Sequence, residues 1–362
     1  MLSPFNGAPY SAGSGGSSPA QRYPGWVSDV LSKVGLEAFI DEKVEPRDYF
    51  DKLTEVAEGE SGFVYQAKVV RTVPGSKLTK RGLQPSGVVA IKAVPILPSG
   101  SSKLEDLRRE VEVMERVSGY PVGASHVLIM EAMYVDLQED ALWIRMELME
   151  RSLADVVALV EEGHLERMDE KVVARFASDI VQALSYLHGL GIAHRDVRSD
   201  NLLLNRDGVL KIADFSNAVT ITPESPACTG DVGVIYWQAP EVRAGSYNPM
   251  KADIWSLGAT IWEMAESTPP FHDAASAADL RNRWPPLTGA EEFSRSLHDF
   301  LILCSNPIAS RPDVNVLVQT PFVRSAARRS AVTQILKKCR TIENLLMGGR
   351  PSVDSQSTLS RR

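Results

Sequence analysis

The chain of 362 residues is poor in several features that would each mark out a class of protein. It has only three cysteines, Cys228, Cys304 and Cys339, which cannot build a disulfide framework in so long a chain and read as ordinary thiols of a reducing compartment. No charged leader followed by an apolar run opens it, so a secretory signal is not expected. Its longest apolar stretches, such as residues 254–265, contain polar residues and fall short of a membrane span. An excess of positive charge is also missing: 39 Lys and Arg stand against 46 Asp and Glu, a net charge of -7. Duplex binding relies on cations that neutralise phosphates, so nucleic acid is not an expected partner. The expectation is a soluble, cytoplasmic protein whose 44% apolar residues suffice for a sizeable core.

Residues 1–24 are rich in Ser, Gly, Pro and Ala and read as a disordered tail. An N-terminal extension follows over residues 25–48. In it Val27, Val30, Leu31, Val34, Leu36 and Phe39 recur at helical spacing, which predicts a short helix over 26–40. From residue 49 to about 150 the pattern is β-rich, with strand-like pieces at 63–70, 87–94, 132–137 and 142–148. One helix interrupts them at 103–117, where Leu104, Leu107, Val111 and Met114 share a face. The polar stretch between Val70 and Gly87 reads as a long, mobile hairpin loop. Residues 151–323 are mostly helical, and one helix carrying Val172, Val173, Phe176, Ile180, Ala183, Leu184 and Leu187 stops near Gly189 and Gly191. A β-rich half followed by a helical half predicts an α+β fold of two lobes with a cleft between them. Residues 324–362 are basic, with nine Lys and Arg against two acidic residues. A stripe of Val332, Ile335, Leu336, Cys339, Ile342, Leu345 and Leu346 predicts an amphipathic helix packed on its own domain, an acidic partner or a membrane surface being the alternatives.

Several short stretches have the residue types that phosphate chemistry needs. In Ala57-Glu58-Gly59-Glu60-Ser61-Gly62-Phe63-Val64 the glycines allow backbone N–H groups to approach phosphate closely. Val89-Ala90-Ile91-Lys92 places a cation on a strand, and Glu110 on the following helix is its expected partner, with Glu112 and Glu115 as rivals. The most specific stretch is His194-Arg195-Asp196-Val197-Arg198-Ser199-Asp200-Asn201, directly after a long helix. Thirteen residues beyond Asn201 comes Asp214-Phe215-Ser216, and later Ala239-Pro240-Glu241.

In this order the stretches resemble the eukaryotic protein kinase family over about residues 49–322, roughly three-quarters of the chain. Finer features resemble its sterile-twenty, PAK-like serine/threonine branch: Arg47-Asp48-Tyr49-Phe50, Leu142-Trp143-Ile144-Arg145-Met146-Glu147 and Gly233-Val234-Ile235-Tyr236-Trp237-Gln238. The resemblance implies a small β-rich N-lobe with one main helix, a larger helical C-lobe, and transfer of phosphate from Mg-ATP to protein substrates. It implies Asp196 as proton acceptor, Lys92 with Glu110 on the phosphates, and Arg198 in the place of a γ-phosphate contact. Asn201 and Asp214 fall where that family binds Mg2+. The nucleotide would lie among Ala57, Gly59, Gly62, Val64, Ala90 and Leu203, with Met146 as gatekeeper and Glu147 to Met149 as the hinge on adenine. Asp253 and Arg311 match structural anchors of the C-lobe.

Four departures stand against this pattern: Ala57 and Ser216 where Gly is usual, Arg198 where serine/threonine kinases have Lys, and Val234 where they have Thr. If Ser216 had to adopt a left-handed backbone it would cost about 1 kcal/mol, and a catalytically silent binding fold is the alternative reading. Arg195 beside Asp196 points to control by an upstream kinase acting on the activation loop, with Thr229 as first acceptor and Thr222 and Ser225 as alternatives. No segment for binding Rho-family GTPases is visible in the N-terminal tail.

Overall fold

The stretch 50–59, which the periodicity left without a strand of its own, opens the main sheet. The computed structural model describes residues 24–40, 45–59, 62–71, 87–97, 102–119, 123–230, 232–272 and 282–348. The N-terminal tail, the loop expected between Val70 and Gly87, and the last residues of the basic tail lie wholly or largely outside these. Strand β1 (Phe50–Gly59) pairs antiparallel with β2 (Gly62–Val69), but its register shifts between Asp51 and Thr54 and again between Glu55 and Ala57. Lys52 has φ 53. Two bulges spoil the period-two alternation by which a strand is read from sequence.

The sheet continues with β3 (Val88–Pro95), β4 (Met130–Asp136) and β5 (Ala141–Met146) in the order β1-β2-β3-β5-β4, all neighbours antiparallel. One face buries Phe50, Tyr134 and Trp143, with ring centroids 5.6 and 6.4 Å from Phe50. Arg47 closes this face: its Nε and Nη2 reach both oxygens of the buried Asp136, and its guanidinium lies 5.4 Å from the Trp143 ring.

Against the other face lies α2 (Ser102–Ser118), which buries Leu104, Leu107, Val111, Met114 and Val117. The N-terminal extension contributes α1 (Trp26–Val34), shorter than the 26–40 expected because Gly35 takes φ 75 and ends the helix. Residues 37–39 add one separate turn of 3-10 helix.

The helical half is built on α4 (Glu170–Gly189) and α5 (Pro249–Glu266), each buried along most of its length. Helix α3 (Leu153–Glu161) starts at a capping box in which Ser152 and Asp155 bond each other's backbone N–H. Helices α6 (Arg295–Cys304), α7 (Val314–Leu317) and α8 (Pro321–Arg324) complete the base. Short strands edge the cleft: β6 (Arg151–Ser152), β8 (Leu202–Leu204) and β9 (Leu210–Ile212) form one sheet, β7 (Ile192–Ala193) and β10 (Val219–Thr220) another. The chain is thus α+β with two lobes. The expected amphipathic helix is α9 (Arg329–Gly348). Val332, Leu336 and Cys339 are buried on the C-lobe and Ile335 and Ile342 pack beside them, while Leu345 and Leu346 face solvent. Among the described residues, no helix is long and apolar enough to cross a membrane.

Candidate active site

Lys92 stands on β3, two register steps from the Ala90–Met146 pair that joins β3 to β5. Its Nζ lies 3.0 and 3.2 Å from the two carboxylate oxygens of Glu110 on α2. Both side chains are largely buried, so the pair is shielded from solvent screening. The rival Glu112 pairs instead with Arg108. Across β2, Val64 faces Lys92, and Ala57 on β1 faces Val64. Gly59 and Gly62 face each other where β1 turns into β2. A Cβ at Gly62 would run into the Ala93 carbonyl, so this position has no room for a side chain. Ala57 lies back on the strand, and its methyl group does not obstruct the turn.

The catalytic-loop stretch follows β7 and is fixed from below. Asp253 of α5, fully buried, accepts hydrogen bonds from the backbone N–H of His194 at 2.9 Å and of Arg195 at 2.7 Å, and from His188 Nε2 at 2.8 Å. Those contacts hold Arg195 at φ 66, an uncommon conformation for a side chain of its size. The Asp196 side chain next to it is only 13% exposed. Asn201 Nδ2 donates to the Asp196 backbone oxygen and to its Oδ2, both at 2.9 Å. The Asn201 backbone oxygen in turn accepts from the Ala213 N–H at 2.8 Å. Gly233 approaches from the opposite side: a Cβ there would lie 2.9 Å from Arg195 O and 3.2 Å from Asp196 Oδ1.

Arg198 Nη1 bonds Asp200 at 2.7 Å, its Nε lies 3.6 Å from Asp196 Oδ1, and its guanidinium sits 5.8 Å from the Trp237 ring. Trp237 also donates from Nε1 to Glu263 Oε2 at 2.8 Å, while the Ser199 hydroxyl donates to Glu263 Oε1 at 2.5 Å. One carboxylate of α5 therefore ties the catalytic loop to the loop before Ala239-Pro240-Glu241. Burial pushes the Glu263 carboxyl up to about 7, against the two hydrogen bonds that favour its charge. A folded pKa above the unfolded one contributes stability that is complete below pH 4.5 and gone once pH passes the folded value. Denaturant stability of wild type should accordingly fall between pH 4.5 and about 7 by up to roughly 3 kcal/mol relative to Glu263→Gln. Parallel curves for the two proteins would contradict this.

In Asp214-Phe215-Ser216 the left-handed residue is Asp214, with φ 65, and not Ser216. The strain expected from a serine in place of glycine therefore does not arise. Phe215 is buried edge-on to His194, with centroids 5.4 Å apart. Ser216 instead supports Asp214, its N–H donating to Oδ1 at 3.1 Å. Burial alone pushes the Asp214 carboxyl up, but hydrogen bonds from Ser216, together with the charges of Lys92 and His194, outweigh it and hold the group below the ordinary Asp range. Ser216→Gly, which keeps that N–H but loses the hydroxyl, should lower catalytic rate by less than about tenfold and destabilise by about 1–2 kcal/mol through added chain entropy and the lost hydrogen bond. Initial rates and urea melts check both.

At the hinge, Met146 is buried and Glu147, Leu148 and Met149 are half-buried. Glu147 is gripped by Asn205 Nδ2 at 2.9 Å and Lys211 Nζ at 2.6 Å, a contact no motif announces. Leu203 on β8 lies half-buried below. Arg311 forks onto Glu241, its Nη1 also bonding the Lys251 carbonyl. Thr229, Thr222 and Ser225 are exposed, and Thr222 and Ser225 bond each other across a tight turn. Arg195 Nε donates to Asn217 O, and its Nη1 lies 3.9 Å from Cys228 Sγ.

The protein kinase domain family matches residues 50–337. Similar proteins include serine/threonine-protein kinase pakC of Dictyostelium discoideum, 31% identical over 309 residues that cover 83% of this chain and 59% of that protein. Serine/threonine-protein kinase PAK 4 of Homo sapiens is 31% identical over 89% of this chain and 50% of its own length. Serine/threonine-protein kinase PAK mbt of Drosophila melanogaster is 32% identical over 82% of this chain and 43% of its own. The chain thus spans about half the length of the relatives it matches.

Proposed function

Because this chain belongs to the protein kinase family, we propose that it transfers the γ-phosphate of Mg-ATP to serine or threonine hydroxyls of other proteins. The observation that carries this reading is the closed Lys92–Glu110 pair above a catalytic loop in which Asp196 and Asn201 are bonded to each other. The family's phosphoryl transfer asks for positioned charge more than for covalent chemistry, and these groups supply it.

In this reading Lys92, steadied by Glu110, holds the phosphates beneath the turn at Gly59 and Gly62. Adenine lies between Val64 and Ala90 above and Leu203 below, against the hinge from Glu147 to Met149, with Met146 behind and Ala57 at the loop's entry. Asp196 orients the substrate hydroxyl and accepts its proton as the oxygen attacks phosphorus. Arg198 faces the transferred group with a fixed fork of donors where serine/threonine kinases present the point charge of Lys.

Asn201 and Asp214 would hold Mg2+, which when bound draws off charge that builds on the phosphates. Their donor chemistry fits. Both offer oxygens, and the charge-favouring surroundings of Asp214 keep it a carboxylate. Mg2+ needs only one or two such protein ligands beside water and phosphate. Among the described residues no cluster of three His, Cys, Asp or Glu offers a self-sufficient cage.

An upstream kinase acting on exposed Thr229 would place a phosphate near Arg195, the cation already beside Cys228. The three cysteines are unpaired, which suits a cytoplasmic enzyme of intracellular signalling. The test is incubation with radiolabelled ATP, Mg2+ and a generic protein substrate, followed by phosphoamino-acid analysis. Label on serine or threonine is the expected result, and label confined to tyrosine would overturn the assignment.

A further inference from the structure

Helix α9 continues past the end of the family match. The match stops at residue 337, whereas α9 runs to Gly348, and the part beyond the match bonds to the two residues that follow the hinge. Arg151 is only 6% exposed along its side chain, and Glu343 receives it in a fork, Nη1 to Oε1 at 2.6 Å and Nη2 to Oε2 at 3.1 Å. One turn earlier, Arg340 Nε lies 3.2 Å from Glu150 Oε1. Among the described residues, neither buried oxygen of the Glu150 carboxylate accepts an aligned hydrogen bond, so the nearby guanidinium groups of Arg340 and Arg151 balance its charge.

Glu150 and Arg151 form the seam between hinge and C-lobe. The Glu150 N–H donates to Leu204 O at 2.7 Å, and the two-residue strand β6 sets Arg151 opposite Leu204 and Ser152 opposite Leu203. So short a ladder is weak by itself. The other end of α9 is anchored independently. Arg329 bonds both oxygens of the fully buried Asp179, at 2.6 and 3.0 Å, and the Gly208 carbonyl at 3.1 Å. Val332, Leu336 and Cys339 seal the contact between the two ends. Glu343 therefore projects from a fixed post toward a strand that few bonds of its own hold.

We propose that Arg340 and Glu343 are positioning residues of the nucleotide site, holding residues 150–151 so that β6 keeps the hinge in register with Leu203. The proposal rests on the reading that this cleft takes ATP. Without Glu343 the Arg151 guanidinium would lose its forked partner while buried, a state that favours its movement toward water. Strand β6 would move with it.

Glu343→Gln, Arg340→Ala and the exchange of Arg151→Glu with Glu343→Arg test this in the full chain, well below each variant's melting temperature. The readouts are affinity for a fluorescent ATP analogue, KM for ATP and for a protein substrate, and hydrogen exchange of the 150–152 amides without nucleotide. Glu343→Gln should weaken nucleotide affinity and raise KM for ATP by about fivefold to tenfold. KM for the protein substrate should stay within about twofold, the Glu150 amide should exchange faster, and the charge exchange should recover part of the loss. Unchanged nucleotide affinity and exchange, with only a lower melting temperature, would reduce the pair to a structural fastening and overturn the proposal. If Glu343→Gln does not fold, Arg340→Ala decides by the same readouts, because it removes a half-exposed side chain. A wild type that binds no nucleotide would instead refute the underlying reading, and the two failures are distinguishable.

Discussion

Asp196→Asn should lower the rate of phosphate transfer by about 10²–10⁴-fold while leaving affinity for ATP within about twofold. The substitution is isosteric, and Asn201 can still bond the Asp196 backbone oxygen at 2.9 Å, so the loop has no reason to collapse. In the proposed mechanism, what is lost is the group that takes the hydroxyl proton. Lys92, Glu110 and Asp214 are untouched, and these carry the phosphate and metal in the proposed mechanism. Initial rates with labelled ATP, beside binding of a fluorescent nucleotide, separate the two effects. A rate drop below about tenfold would show that the proton leaves by another route, since a positioned base contributes at least that much.

Asp253→Ala should act on stability instead, lowering it by about 3–5 kcal/mol. The Asp253 carboxylate has no exposure and receives two backbone N–H groups and one imidazole nitrogen. Alanine would leave all three unpartnered in the interior, and each unmet donor costs about 1–3 kcal/mol. The left-handed Arg195 would lose the bond that fixes it, and with it the direction of Asp196. Asp253→Asn, which keeps one acceptor oxygen, should cost less. Urea melts of the three proteins order them, and equal midpoints for wild type and Asp253→Ala would contradict the role assigned here.

The chemistry-bearing residues were legible because each sits in a short stretch whose side-chain types follow from what phosphate transfer needs. The family resemblance alone sets Glu110 ahead of Glu112 and Glu115, and its carboxylate oxygens lie 3.0 and 3.2 Å from Lys92 Nζ. The α+β order of elements was equally plain, since period-two stretches give way to helical ones near Ser152. Strand β1 escaped because two bulges and a left-handed Lys52 disturb its alternation. Whether Ser216 bears strain is hidden from the sequence for a related reason. Backbone conformation is not written in a side chain, and the positive φ belongs to Asp214.

Contacts between distant stretches could not be read from sequence at all. Arg151 and Glu343 are 192 residues apart, and Glu147 with Lys211 are 64. Only the folded chain makes neighbours of them. Glu263 had one faint signal: an acidic residue within a nearly all-buried helix must find hydrogen bonds or give up its charge.

The claim at the centre of this account is that the assembled groups make a working enzyme. Its most direct test is the number of phosphates that purified wild-type protein transfers from Mg-ATP to a protein substrate, counted by mass spectrometry. Many transfers per enzyme molecule are expected, with serine or threonine as acceptor. A folded, nucleotide-binding protein that transfers none, even after treatment with an activating kinase, would contradict it.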